Sequence, residues 1–91
     1  MYEQDPILAD LVIALSLFVS GAQRSQEFVR DEIGGALEMY PDGDGFPNRA
    51  VYEELEVATA CYRPGGGQFM YDEEQMEAIC ERALSVLNPG M

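Results

Sequence analysis

Apolar residues recur along the chain in four blocks, which Gly- and Pro-containing segments separate. In the first block, residues 6–20, eleven of fifteen residues are apolar. Asp5 is a favourable N-cap, Pro6 suits the first helical position, and Gly21 can end a helix. The block predicts a helix that is apolar on nearly every side, which is typical of a central helix or of one buried in an oligomer.

The second block, residues 25–40, also has apolar residues at helical spacing. The sequence leaves open whether this helix continues from the first across Gly21. Gly34 and Gly35 lie in its middle, and each glycine costs about 1 kcal/mol relative to alanine in a helix. The pair therefore indicates either a break in the helix or a close approach to a neighbouring helix.

Clearer start and stop signals mark the last two blocks. The third predicted helix covers residues 48–62, and Pro64 stops it. The fourth begins after Asp72, which forms a capping box with Gln75. Residues 68–71 are the only segment in which the sequence leaves room for a short strand.

Together the four blocks predict an all-α fold, one acidic domain over residues 1–91 made of four helices. A chain of this length buries a small core, and three neighbours can hardly cover the whole first helix. We therefore expect self-association through this helix, most simply as a homodimer. The expected interface residues are Leu8, Leu11, Val12, Leu15 and Phe18.

Seventeen carboxylates oppose five cations, all of them arginine, so the net charge is −12. Nucleic-acid backbones and anionic membranes repel such a chain, whereas basic protein surfaces attract it. The acidic start differs from a signal peptide, and the interrupted apolar run 7–19 is shorter than the roughly 20 residues that span a bilayer. We therefore expect a cytoplasmic protein. Arginine-only usage also fits a salt-loving organism, in which acidity serves solubility.

The residue inventory argues against catalysis. Histidine, the usual general base, and lysine, the amine nucleophile, are both absent. Cys61 and Cys80 lie on apolar helix faces, where we expect small core residues with neutral thiols in a reducing compartment. The glycine run 65–67 lacks the lysine of a phosphate-binding loop. We expect no enzyme and no cofactor.

One segment partly resembles a calcium-binding loop in its spacing. Asp42, Asp44 and Glu53 match the first, third and twelfth positions of such a loop. Phe46 and Pro47 stand where a ligand and a glycine are required. The segment is better explained as a turn rich in Asp and Gly, so we expect no metal site.

Carboxylates are clustered on the predicted helices, and no cation stands at the matching positions of the fourth helix to offset the repulsion within its cluster. Residues 73, 77 and 81 are spaced so that they stack about 6 Å apart on one face. Further clusters lie on the third helix, at residues 53–56, and on the second, at Asp31, Glu32 and Glu38. An aromatic pair near the glycine run offers possible anchors for a partner. The expected partner-binding residues are Glu73, Glu77, Glu81, Glu53, Glu54, Glu56, Phe69 and Tyr71.

The favoured hypothesis is a small acidic inhibitor, of the kind that phages make against host defence or regulatory proteins. It would mimic nucleic acid in the host cytoplasm and occlude a basic nucleic-acid-binding surface of a host protein. One alternative is a helical homo-oligomer that sequesters a small ligand between protomers. The other is a structural or adaptor protein whose acidity serves solubility.

Overall fold

The computed structural model describes residues 5–88, and the fold of these residues is all-α, as predicted. A 3-10 turn, Pro41–Gly43, lies in the loop between the second and third helices. Within the described residues the only extended pairing is an isolated parallel bridge between Tyr62 and Tyr71. The four helices are α1 (Pro6–Val19), α2 (residues 26–38), α3 (Arg49–Cys61) and α4 (Glu73–Leu87).

The helices begin and end where their capping residues predict. Asp5 accepts hydrogen bonds from the backbone N–H groups of Ile7 and Leu8 at 3.0 and 3.2 Å, which satisfies two donors that α1 leaves unpaired. Gly21 has a φ of 86°, in the left-handed region that favours glycine. This conformation ends α1, so α1 and α2 are separate helices.

The predicted capping box at the start of α4 is confirmed. Asp72 accepts from the backbone of Gln75 at 2.9 Å, and the Gln75 side chain accepts from the backbone of Asp72 at 2.9 Å. At the start of α3, the Asn48 side chain caps the backbone N–H of Val51 at 3.0 Å. Both starts are therefore fixed by local hydrogen bonds that the sequence makes visible.

The second helix does not break at its glycines, but it is irregular. A Cβ atom at Gly34 would stand 3.0 Å from Cγ2 of Thr59 on α3, whereas one at Gly35 would meet nothing within 4 Å. Gly34 therefore allows the close approach of α2 and α3. The sequence did not indicate the π-helical stretch in the middle. The successive α, π and α segments of α2 are Gln26–Phe28, Val29–Gly34 and Gly35–Glu38.

The helices form a four-membered bundle, in which α1 and α3 each pack against both α2 and α4. The hydroxyl of Tyr40, just after α2, donates to Asp5 at the start of α1 (2.8 Å). The end of α2 therefore lies beside the start of α1, and these two neighbouring helices run antiparallel. The core consists of apolar side chains from every helix. Its largest completely buried members are Tyr62, Phe18, Leu11, Leu15, Ile33, Leu55, Met76 and Leu87.

The chain covers α1 more completely than its apolar sequence indicated. Val12 is half-buried, and the apolar side chains of α1 that remain exposed are Ile13 (57%) and Leu17 (37%). A second copy would therefore meet Ile13 and Leu17 rather than the residues that we expected, and dimerisation itself stays a prediction. The expected interface residues that are buried inside the single chain are Leu8, Leu11, Leu15 and Phe18.

Arg24, in the loop after α1, connects three parts of the fold. Its guanidinium donates to the backbone carbonyls of Phe18 (2.9 Å) and Val19 (3.0 Å), which lie in the last turn of α1. The same group forms an ion pair with Glu77 of α4 at 2.7 Å and lies 5.0 Å from the Phe18 ring centroid. The hydroxyl of Tyr62 donates to the Arg24 carbonyl. Arg24 therefore ties α1 to α4.

Candidate protein-binding surface

The predicted acidic row on α4 is partly neutralised by contacts from outside the helix. Glu77 pairs with Arg24. Glu73 accepts a hydrogen bond from the backbone N–H of Gly65 at 2.9 Å, and this bond holds the pKa of Glu73 below its usual value. Glu81 is exposed and has no ion-pair partner among residues 5–88. The row is therefore not the uniform anionic strip that its spacing predicted.

The predicted cluster on α3 is divided between different sides of the helix. Glu53 lies 3.7 Å from Arg49 in an exposed ion pair. Glu54 is turned toward α4, where it pairs with Arg82 at 2.8 Å. Glu56 lies on the other side, facing α2. The cluster therefore presents Glu54 toward α4 and Glu56 toward α2.

The two expected aromatic anchors differ in accessibility. Phe69 is 88% exposed, and its φ of 63° is uncommon and strained for a bulky residue. Tyr71 is half-buried against the core. Its backbone N–H donates to the carbonyl of Cys61, and its carbonyl accepts from Arg63, both at 2.9 Å. Phe69 is thus available to a partner, whereas Tyr71 mainly fixes the loop in place.

A further group of carboxylates without ion-pair partners surrounds α2, where the sequence indicated a cluster at Asp31, Glu32 and Glu38 but no partner-binding residue was expected. On α2 itself, Arg30 pairs with the neighbouring Asp31 at 3.0 Å, so these two charges cancel. No arginine within residues 5–88 forms an ion pair with the other exposed carboxylates around this helix. We call these five carboxylates the α2 acidic surface: Asp10, Glu27, Glu32, Glu38 and Glu56.

Two grooves border α2, and each has carboxylates on both walls. Because the walls belong to different helices, sequence spacing alone gave no sign of the grooves. In the groove between α2 and α3, the hydroxyl of Tyr52 donates a hydrogen bond to Glu56 at 3.2 Å. The α1–α2 groove is lined by Asp10, Ile13, Ala14, Leu17, Phe28 and Glu32. The α2–α3 groove is lined by Gly34, Leu37, Glu38, Tyr52, Glu56 and Thr59.

Metal-ligating side chains and cysteine thiols are the two kinds of reactive group to consider among the described residues. Among them, no three His, Cys, Asp or Glu side chains converge as a metal site would require. Both cysteines are free, Cys61 half-buried and Cys80 buried. Burial raises the pKa of Cys80 to about 12, so its thiol is neutral near pH 7 and is a poor nucleophile. The arrangement is suited to binding through its surface.

None of the helices between residues 5 and 88 combines the length and the hydrophobicity that crossing a lipid bilayer requires. No protein-family model, curated protein or solved structure gives a significant match to the chain.

Proposed function

We propose that the chain binds a basic protein and covers the surface with which that protein holds nucleic acid. The α2 acidic surface carries this proposal, because none of its five exposed carboxylates forms an ion pair with an arginine within residues 5–88, and Arg30, which lies near Glu27, is paired with Asp31. A concentration of unpaired charge attracts an oppositely charged surface and speeds association with it. An inhibitor that a phage directs against a host defence or regulatory protein is the biological setting that we favour.

The density of charge along α2 supports mimicry of nucleic acid. Residues 27 and 38, which bound the row on α2, are separated by about 15 Å along the helix axis. A DNA strand carries a phosphate every 3.4 Å or so, which is four or five charges over that length. The α2 acidic surface supplies five carboxylates, three on α2 and one on each neighbouring helix, so a protein that grips phosphates would meet a similar number of anions along the two flanks of α2.

Phe69 adds an apolar anchor to the electrostatic attraction. The side-chain amide of Gln26 donates to the Tyr62 carbonyl at 3.2 Å, so the loop that carries Phe69 starts beside the N-terminal end of α2. Exposed aromatic side chains often supply much of the energy of an interface. We propose that Phe69 inserts into the partner while the carboxylates set the orientation.

The alternative functions receive less support from the described residues. Both grooves beside α2 have carboxylates on their walls, which disfavours the anionic metabolites that a small-ligand carrier would hold. Acidity that served solubility alone would not require unpaired carboxylates to be grouped around one helix. The grouping therefore favours a binding surface over a purely solubilising one.

Affinity purification of the full chain from its native cells, followed by mass spectrometry, identifies the partner. The purified partner is then titrated with labelled nucleic acid in the presence and absence of the chain. We expect the chain to displace the nucleic acid, and its affinity for the partner to fall steeply as salt is raised.

Two matched variants test whether the α2 acidic surface is responsible. Glu32→Gln and Glu38→Gln together remove two charges around α2, and we expect the association rate at low salt to fall several-fold, by up to about tenfold. The control removes two charges from the exposed side of α4, through Glu74→Gln and Glu81→Gln, and is expected to change that rate much less. The proposal is refuted if the affinity for the partner changes neither with salt concentration nor with the α2 substitutions.

A further inference from the structure

The α1–α2 groove combines an apolar floor with acidic walls. Ile13 and Leu17 are large apolar side chains that α1 leaves exposed, at 57% and 37%, and half-buried Phe28 lies opposite them on α2. Asp10 stands on the α1 wall and Glu32 on the α2 wall, and both are exposed. Neither carboxylate has an ion-pair partner within residues 5–88.

We infer that this groove binds an amphipathic, basic helix of the partner protein, with apolar side chains on the floor and Lys or Arg against both walls. The inference rests on the proposed function, and it names the part of the partner that docks. Asp10 and Leu17 are seven residues apart on α1, or about 10 Å. Two turns of a partner helix cover this length and place apolar residues at i and i+3 or i+4 on the floor.

Charge decides between this occupant and a second copy of the chain. A symmetric dimer through the groove would bring Asp10 and Glu32 of both copies into one interface. The cation that α2 offers nearby, Arg30, is held by Asp31. Four carboxylates without a cation repel each other, whereas a helix with Lys or Arg beside its apolar stripe neutralises both walls. The groove therefore favours the basic helix.

Two peptides of identical composition provide the probe. One is a fluorescein-labelled peptide of about four helical turns, with Leu at i, i+3, i+4 and i+7 and Lys elsewhere. The other contains the same residues in an order that spreads Leu around the helix. Fluorescence polarisation measures the affinity of the full chain for each, and ¹H–¹⁵N spectra locate the bound peptide. We expect the patterned peptide to bind about tenfold more tightly and to shift the amides of residues 13, 17 and 28.

Matched variants assign that difference to the groove. Ile13→Glu with Leu17→Glu places charges on the floor, and we expect the patterned peptide to bind about tenfold more weakly. Val57→Glu with Val86→Glu makes the same change at exposed apolar residues of α3 and α4, and is expected to reduce affinity about twofold or less. Circular dichroism verifies that each variant is folded.

A second pair keeps the inference testable if the floor variant does not fold. Asp10→Asn with Glu32→Gln removes the wall charges, and we expect a larger loss of affinity than with Glu74→Gln and Glu81→Gln on α4. The inference is overturned if both peptides bind equally and both pairs of variants behave alike, because only net charge is then recognised. The proposed function survives that result, whereas it fails separately if the purified partner is not displaced from nucleic acid.

Sedimentation equilibrium tests the competing occupant. The inference requires that any self-association leave the groove open, so we expect Ile13→Glu with Leu17→Glu not to change the oligomeric state. A dimer that Ile13→Glu with Leu17→Glu dissociates would overturn the inference in favour of a second copy.

Discussion

Replacement of Arg24 by Ala removes four contacts of one side chain at the C-terminal end of α1. The side chain donates to the carbonyls of Phe18 and Val19, pairs with Glu77, and lies over the Phe18 ring. Arg82→Ala is a matched control, because it also removes an arginine that pairs with a glutamate of another helix. The two variants differ in what surrounds the guanidinium.

The magnitudes follow from those surroundings. Each hydrogen bond from Arg24 to a backbone carbonyl contributes about 1 kcal/mol, and a cation at a helix C-terminus about 0.5 kcal/mol. The ion pair with Glu77 is partly screened, since the two side chains are 28% and 35% exposed, and we assign it about 0.5 kcal/mol. These contributions share one side chain and do not add fully. We expect Arg24→Ala to lower the free energy of unfolding by about 2 kcal/mol.

The Arg82 pair is weaker, because its side chains are 58% and 40% exposed. We expect Arg82→Ala to change the free energy of unfolding much less than Arg24→Ala does. Urea denaturation followed by circular dichroism measures both values, and the Tm of Arg24→Ala should fall by about 8–16 °C. Arg24→Lys keeps the charge but loses the planar fork, so its stability should be intermediate. Equal losses for Arg24→Ala and Arg82→Ala would refute the reasoning.

Three further predictions concern the neighbouring glycines of α2 and the two cysteines. Gly35→Ala should stabilise the protein by about 0.5–1 kcal/mol, because the added methyl group has open space. Gly34→Ala should be neutral or destabilising, because its methyl group crowds Thr59 of α3. Urea denaturation of the two variants measures the difference, and equal gains in stability would contradict the packing of α2. Cys80 should react with a thiol reagent at pH 8 only in denaturant, and half-buried Cys61 sooner, which mass spectrometry of the labelled protein determines. Burial raises the pKa of Cys80 from 9.0 to about 12. The stability that comes from keeping this thiol protonated is therefore complete below pH 9 and is lost between pH 9 and 12. In Cys80→Ala, the free energy of unfolding should accordingly fall less as the pH is raised through this range.

Helix boundaries were predictable because they depend on residues close in sequence. The Asp5 cap, the Gly21 stop and the box of Asp72 and Gln75 all act over three or four positions. Each satisfies backbone groups that a helix end leaves unpaired, whatever the rest of the chain does. The all-α fold therefore followed from local rules, whereas the π-helical part of α2 depends on its packing and was not foreseen.

The candidate surface was less predictable, because charges are neutralised by residues far away in the chain. Glu77 meets Arg24 across 53 positions, and Glu54 meets Arg82 across 28. Periodicity along α3 and α4 contains no information about these pairs. Asp10 is a clear example, since in sequence it only interrupted an apolar run, whereas in the fold it forms an acidic wall of the α1–α2 groove.

The backbone bridge between Tyr62 and Tyr71 closes the glycine-containing loop at its base, so changes in the loop need not alter the helices on either side. The two backbone hydrogen bonds of Tyr71 hold both loop ends together, so the span between them is fixed independently of what fills it. Doubling the length of a flexible loop costs only about 0.6 kcal/mol in closure entropy. The segment around Gly65 and Gly66 is thus a natural insertion point, where a fluorescent reporter or an affinity tag can be carried without disturbing the register of α3 and α4.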